Sequence, residues 1–402
     1  MFPRSLSVRS GWMGTVQQIS DDQRRVRLAR RHGLAAAYGS VEDATEAMTC
    51  WHATEPASVH LAAWARSGCS REDVDRALYQ DRSIVKQLAM RRTVFVFPRG
   101  LLPAVWGSAA ARVATQQRGQ LARDVVKGGI AEDGPTWVAE QTAAVHDLLR
   151  AHGPRTTMQL RAELPALDAR LTYAEGKSYG AELPVAPRVL TTLAASGVIL
   201  RGANDGGWKT SRPLWTATED WLPDAAPPLD EATGYAELVS SWLRTFGPGT
   251  EADIVWWLGA TKAAVRRALV DLEAVAVALG SGTGYLLPDD LDDEPPTGDW
   301  AALLPALDPT TMGWKERSFY LGPHAGSIFD ANGNGGPTAW WSGRIVGGWR
   351  QDDDGTVVVV PAEDLPAKAT KALSAKAEEL TAWLDGDVVK SIYQSPLVRH
   401  GR

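Results

Sequence analysis

The sequence predicts an α+β fold, mainly α, of three tandem units followed by a small C-terminal β-domain, and three observations carry that reading. One helix-end motif occurs twice in the middle of the chain. Each copy is followed by a further helical pattern and a Gly-rich turn between short strand-like pieces. From about residue 300 on, strand-like alternation replaces helical periodicity.

The first residues, "MFPRSLSVRSGWM", are basic at Arg4 and Arg9 but lack the apolar core of a signal peptide. Residues 1–18 are therefore expected to form a flexible extension, with Met13 as an alternative start. Ser20-x-x-Gln23 in "ISDDQRRVRLARRHGL" reads as a capping box opening a basic helix. In "CWHATEPASVHLAAWARSG" (50–68) the apolar positions line one helical face, and His52, Thr54 and Glu55 crowd against Pro56 where that helix begins. Thr54 is expected to cap it, with Glu55 and Pro56 in the first turn, where acid and Pro are both favourable. "SREDVDRALYQDRSIVKQLAMRRTVFVFPRG" (70–100) reads as a helix and then a strand, "TVFVF", stopped by Pro98; "AAARVATQQRGQLARDVV" (109–126) reads as a helical connector. Residues 19–130 form the first unit.

The repeat defines the next two, over 131–225 and 226–295. "LLRAHGPRTTMQL" (148–160) and "WLRTFGPGTEADI" (242–254) each end an amphipathic helix at a Gly-Pro pair, with Gly153 and Gly247 suited to a left-handed cap. Thr156 or Thr157, and Thr250, can cap the helix that follows. Further helical patterns come next in "VAPRVLTTLAASGVIL" (185–200) and "TKAAVRRALVDLEAVAVAL" (261–279). The hairpin-like stretches "RGANDGGWKTSRPLWTAT" (201–218) and "GSGTGYLLPDD" (280–290) complete the pattern. Three helices and a hairpin are the layout of a winged helix, whose third helix and wing can face DNA. Residues 296–402 read as a β-domain, barrel-like, around "TAWWSGRIVGGWRQDDDGTVVVVP", closed by the helix "PAKATKALSAKAEELTAWL" (366–384). The Trp pairs at 256–257 and 340–341 are expected in the core. "GNGG" (333–336) is a turn, because no Walker pattern surrounds it.

Composition narrows the function. Hydrophobic residues at 44% and charged residues at 22% are those of a globular chain, and no run of eighteen apolar residues offers a membrane span. Cys50 and Cys69 stand outside any CxxC motif, which argues against a disulfide framework or zinc site and fits a reducing cytoplasm. The net charge of −6 is unevenly spread: residues 1–130 carry 19 Lys and Arg against 11 Asp and Glu, whereas the rest carries 23 against 37. A basic region on an acidic body suits phosphate contact through counterion release; solvated surface arginines are the alternative.

Five stretches together resemble one family over about residues 19–365. They are "WLRTFGPGTEADIVWWLGATKAAVRRAL", "LLPALDPTTMGWKERSFYLGP", "FDANGNGGPTAWWSGRIVGGWRQ", "MRRTVFVFPRGLLP" and "HATEPASVHLAAWAR". The family is that of the AlkZ/YcaQ winged-helix DNA glycosylases. The resemblance implies hydrolysis of the N-glycosidic bond of alkylated purines, including bulky N7 or N3 adducts and interstrand crosslinks, and in some members self-resistance to a genotoxin. The expectation is therefore a protein without metal or cofactor, with duplex DNA as partner, acting as a monomer associated with the nucleoid, since three dissimilar units already offer an asymmetric surface. The family's reacting pair is Gln, an apolar residue, then Gln or Asp, before an acidic residue and Pro. The matching positions here are His52, Ala53, Thr54, Glu55 and Pro56, so both reacting positions differ.

Those residues can still serve the reaction. An alkylated purine cation is already a good leaving group, so the protein needs to hold a water and steady a cationic sugar. Imidazole, with an ordinary pKa near 6.5, can accept a proton from water, a threonine hydroxyl can hold it, and Glu55 could orient His52 or offset oxocarbenium charge. Arg24 and Arg25 on the first helix, Arg91 and Arg92 at the opening of a strand, Lys209 in a wing and Lys262, Arg266 and Arg267 on a third helix are candidate DNA contacts. Arg27 and Arg31 have Asp21 and Asp22 as alternative partners. Asp308, Trp314, Lys315 and Arg317 in "DPTTMGWKER" are candidate cleft-lining residues. The rival reading is a non-catalytic lesion-sequestering protein or a winged-helix transcriptional regulator.

Overall fold

The structure, a computed structural model, describes residues 16–173 and 181–400. Three successive stretches follow one topology: a helix, a short strand, two helices and a two-strand hairpin, with the short strand pairing to the last strand. In the first, helix Val41–Ala47 leads through strand Trp51–His52 to helix Pro56–Ser67 and to Arg71–Asp75, which a wider turn prolongs to Gln80. Strands Ile84–Ala89 and Thr93–Pro98 close the unit, with the second in the centre of the sheet. The third stretch repeats this with helix Glu231–Phe246, strand Gly249–Thr250, helices Glu251–Leu258 and Lys262–Asp271, and strands Val275–Leu279 and Gly282–Leu286. In the middle one, a single bridge from Arg155 to Trp215 stands in for the short strand, and a hairpin, Arg170–Tyr173 with Ala181–Pro184, is inserted before helix Ala186–Ala195.

Local chemistry accounts for these elements. Thr156 with Gln159, and Thr250 with Asp253, form reciprocal capping boxes that satisfy two backbone donors each. Neither glycine is a left-handed cap: Gly153 has φ 76° but ψ −167°, and Gly247 is extended, at φ −64° and ψ 145°. Glycine is required there for space: a Cβ would sit 2.4 Å from the Leu243 carbonyl oxygen.

Two boundaries differ from the sequence reading. The helical pattern over 261–279 stops at Asp271, Glu273 takes positive φ, and Val277 and Leu279 then alternate inward as a strand. Likewise "SIVKQLA" is a strand, because Arg82 turns the chain at positive φ and the β-branched Ile84 and Val85 follow. Residues 16–18 are not a loose extension. Gln17 and Ile19 bond to Ala278 across the third hairpin, and Ile19 is buried with Val277, Leu279 and Leu286. The rest of the expected extension, residues 1–15 with Met13, lies outside the described residues.

The C-terminal domain is an open sheet rather than a barrel. Strands Ala301–Leu304, Thr338–Trp341, Arg344–Gln351 and Val357–Pro361 run antiparallel in chain order. Closure is unnecessary because helix Ala367–Leu384 covers one face, with Leu373, Leu380 and Leu384 packed among Leu303, Val346 and Trp349. Helix Pro56–Ser67 joins this domain to the first unit. Its Leu61 enters the sheet's core, while Val59, Ala62 and Ala63 belong to a continuous core running from Leu28 to Ile345. Among the described residues, no helix is long and apolar enough to cross a membrane.

Candidate active site

His52 ends the short strand at the edge of the first sheet, opposite Phe95, and the Ala53 amide donates to the Val94 carbonyl at 2.9 Å. The chain then turns through Thr54 and Glu55 into Pro56, the first helical residue. The expected Thr54 cap is absent. Glu55 holds the cap position, no side chain caps the helix, and Thr54 is exposed. Pro56 eases the tolerance, since at the first helical position it leaves one fewer unpaired amide at the helix start.

Glu55 does not orient His52 either. Its carboxylate turns toward the C-terminal segment, accepting hydrogen bonds from the Ser391 hydroxyl at 2.8 Å and the Ile392 amide at 2.7 Å. A partner so distant in sequence leaves no local pattern to read.

His52 is half-buried at a cavity of about 130 Å³. Cys50, Thr93 and Phe95 of the first unit, Trp257 of the third, and Leu307, Pro309, Met312 and Asn334 of the C-terminal domain complete its walls, with Arg91 at its edge. The Phe95 ring meets the imidazole edge-on at 5.4 Å, and the Thr54 amide points at Nδ1 from 3.4 Å. Burial, and then the positive charge of Arg91, lower the imidazole pKa to about 3. An imidazole titrating near its ordinary value is therefore replaced by one that is neutral at all physiological pH. It offers one acceptor and one donor, as an amide does.

A buried polar chain fixes the wall opposite. Arg66, on the inward face of helix Pro56–Ser67, pairs with Asp308 through bonds of 2.7 and 2.9 Å and donates to the Thr310 hydroxyl at 2.8 Å. The His32 Nε2–H donates to the Thr245 carbonyl, so Nδ1 accepts from Thr310 at 2.8 Å. Burial and the nearby Arg66 charge push the His32 pKa well down, keeping this tautomer neutral. Asp308 and Trp314, expected to line a cleft, are buried instead: Asp308 neutralises Arg66, and Trp314 donates to the Phe246 carbonyl and stacks on His32. Sequence reasoning missed Arg66 and His32. The available signal was Arg66 itself, a charge on the same face as Val59, Ala62 and Ala63 that has to find a buried partner.

The basic first helix, Asp21–Arg31, is an internal clamp. Ser20 caps it, but Gln23 bonds to the Glu294 backbone instead of completing the capping box. Arg24 is buried, its guanidinium 3.6 Å over the Phe319 ring, and Arg25 reaches the Phe319 carbonyl and Asp22. Arg27 and Arg31 bind Asp290 at 3.0 and 2.6 Å rather than Asp21 or Asp22. Arg27 and Arg31 thus neutralise the acidic segment after the third hairpin, while Arg24 and Arg25 are engaged by Asp21, Asp22 and Phe319. Composition could not reveal that the charge of this helix is met within the molecule.

Lys209 pairs with Asp387 at 2.6 Å, whereas Arg266 and Arg267 are exposed in ion pairs with Glu251 and Asp271. Lys262 is exposed at the start of its helix. Arg91 and Arg92 form the hairpin tip before strand Thr93–Pro98, both with positive φ. The Lys315 side chain is exposed, its amide bonded to the buried Asp253. Arg317 lies over the rings of Phe329 and Trp256, at 4.4 and 5.2 Å. Trp257 and Trp340 are core residues as expected, but Trp256 and Trp341 are only half-buried.

Comparison with known proteins agrees with this architecture. The structure superposes on the solved DNA glycosylase AlkZ of Streptomyces sahachiroi with a TM-score of 0.72, covering 93% of this chain and 98% of that one at 21% sequence identity. That likeness is one of fold. No curated protein sequence gives a significant match. The family model described as "DNA glycosylase AlkZ-like" matches residues 45–383, from ahead of the His52 strand to the end of the C-terminal helix. The chain belongs to the AlkZ-like DNA glycosylase family.

Proposed function

We propose that this protein hydrolyses the N-glycosidic bond of N7- or N3-alkylated purines in duplex DNA, bulky adducts included, with His52 and Thr54 beside the reacting sugar. The three repeated units are read as winged helices that hold the duplex. The observation that carries the reading is the His52 cavity: a neutral imidazole at the edge of about 130 Å³, where the family's water-holding amide would stand. Pockets that enclose a small molecule usually measure about 300–1,000 Å³. This cavity has room for water and part of a sugar, and too little for an extruded purine. Attack without base flipping fits that size, and it removes the limit a snug pocket sets on adduct bulk.

In this mechanism the bond from sugar C1′ to purine N9 breaks, and its electron pair neutralises the cationic base. Water attacks C1′ and releases its proton to solvent. With a pKa of about 3, His52 is too weak a base to take that proton fully. With Nδ1 facing the Thr54 amide, the His52 Nε2–H holds the water by donating to the water oxygen, and the exposed Thr54 hydroxyl supplies a second contact. Departure of a neutral base makes a strong acid or base unnecessary.

The same low basicity favours a second reading, lesion binding without hydrolysis. One experiment separates the two. Purified protein is incubated without metal on duplexes carrying N7-methylguanine or a bulkier N7-alkylguanine, and free base and abasic sites are measured. Release of both bases is expected. Tight binding with no released base would select the second reading.

A further inference from the structure

We propose that Arg91 and Arg317, held against Trp256, form a binding site for a DNA phosphodiester at the mouth of the His52 cavity. The proposal rests on the glycosylase reading for its location beside the reacting nucleotide. The geometry of the two arginines is independent of it.

Arg91 comes from the hairpin tip of the first unit and Arg317 from the C-terminal domain, yet both guanidinium groups lie over one indole, at 4.5 and 5.2 Å. Among the described residues, neither guanidinium has a carboxylate or hydrogen-bond partner. Their like charges are close enough to disfavour each other. Trp256 offsets part of that repulsion through its ring face and leaves both donor forks unfilled. Two unfilled forks with no compensating acid match the oxygens of a phosphodiester. The arginines of the first helix are different, being committed to acidic side chains and backbone carbonyls.

The backbone is arranged for this at a cost. Arg91 and Arg92 occupy successive positive-φ positions, 54° and 59°, at a hairpin tip where Asn and Gly are the usual residues. Strain of this kind persists where the surroundings demand a particular side chain, often at a binding site. Gly259, at φ +61°, leaves the room: a Cβ there would come within 3.1 Å of the Arg91 side chain, and the Gly259 carbonyl accepts from Arg112. Since Arg91 also borders the His52 cavity, a phosphate on this pair would flank the sugar presented to His52.

The test is the salt dependence of binding to a duplex containing tetrahydrofuran, a stable abasic-site analogue, by fluorescence anisotropy. Arg91→Gln and Arg317→Gln should each weaken binding and lower the slope of log K against log salt by about 0.9 for each phosphate that is no longer neutralised. Arg91→Lys and Arg317→Lys should retain the slope, because they keep the charge. An unchanged slope in the double Gln variant would overturn the proposal. So would Lys variants that lose the slope as fully as the Gln variants, since the loss would then be structural. Base release by the unaltered protein is measured separately. A protein that releases base while its Gln variants keep the full slope lacks this site alone. One that releases no base while its Gln variants lose the slope lacks the activity alone.

Discussion

Arg66 and Asp308 face each other in a bidentate ion pair, 2.7 and 2.9 Å, with neither side chain exposed. The pair ties the helix that begins just after His52 to the loop that forms the far wall of its cavity. Asp308→Asn should leave Arg66 charged, buried and short of a partner, lowering stability by about 3–5 kcal/mol in urea unfolding. Replacing both residues together by Met and Leu should cost less than the sum of the single changes, because no orphaned charge remains.

Acid should weaken the fold through His32 and His52. Both pKa values are lowered in the folded state, that of His52 to about 3, while the unfolded chain takes up protons near the ordinary 6.5. The unfolded state therefore binds more protons below about pH 6.5, and stability falls as pH drops from there toward the folded values. Each histidine contributes about 1.4 kcal/mol per pH unit in that window. Thermal unfolding between neutral pH and mild acid should show this decline, and His52→Gln should make it shallower.

Neutralising the first helix should cost stability and leave DNA contacts alone. Arg27→Gln removes a hydrogen-bonded charge from Asp290 and from the carbonyls of Asp290 and Asp292, a loss of about 1–3 kcal/mol. The salt slope of duplex binding should not change. A shallower slope in folded Arg27→Gln protein would return this helix to the DNA-facing surface.

The legible parts of this molecule are those encoded locally. Caps at Thr156 and Thr250, the strand-like run "RIVGGWRQ" and the pattern of the C-terminal helix each lie within one element, and they identify it. The repeat then ordered the units. Long-range partnership was not legible. Nothing near Glu55 announces Ser391, nothing near Arg24 announces Phe319, and Asp308 reads as a polar loop residue until Arg66 is beside it. The barrel-like expectation failed for a similar reason, since strand alternation does not say whether a sheet closes or takes a helix as its cover. His52 stood out in the sequence by its neighbours. Its charge state needed the burial and the Arg91 guanidinium that only the fold brings to it.

The rate of alkylpurine release by His52 variants, measured from acid to alkaline pH, tests the central claim most directly. If the neutral imidazole positions water, His52→Ala should slow release by about 10²-fold or more, with little effect on binding to the abasic-analogue duplex. His52→Gln, which keeps an acceptor and a donor, should retain most of the rate. The unaltered protein should show no acid limb with an apparent pKa near 6–7, because His52 is already neutral there. Full-rate release by folded His52→Ala would contradict the account.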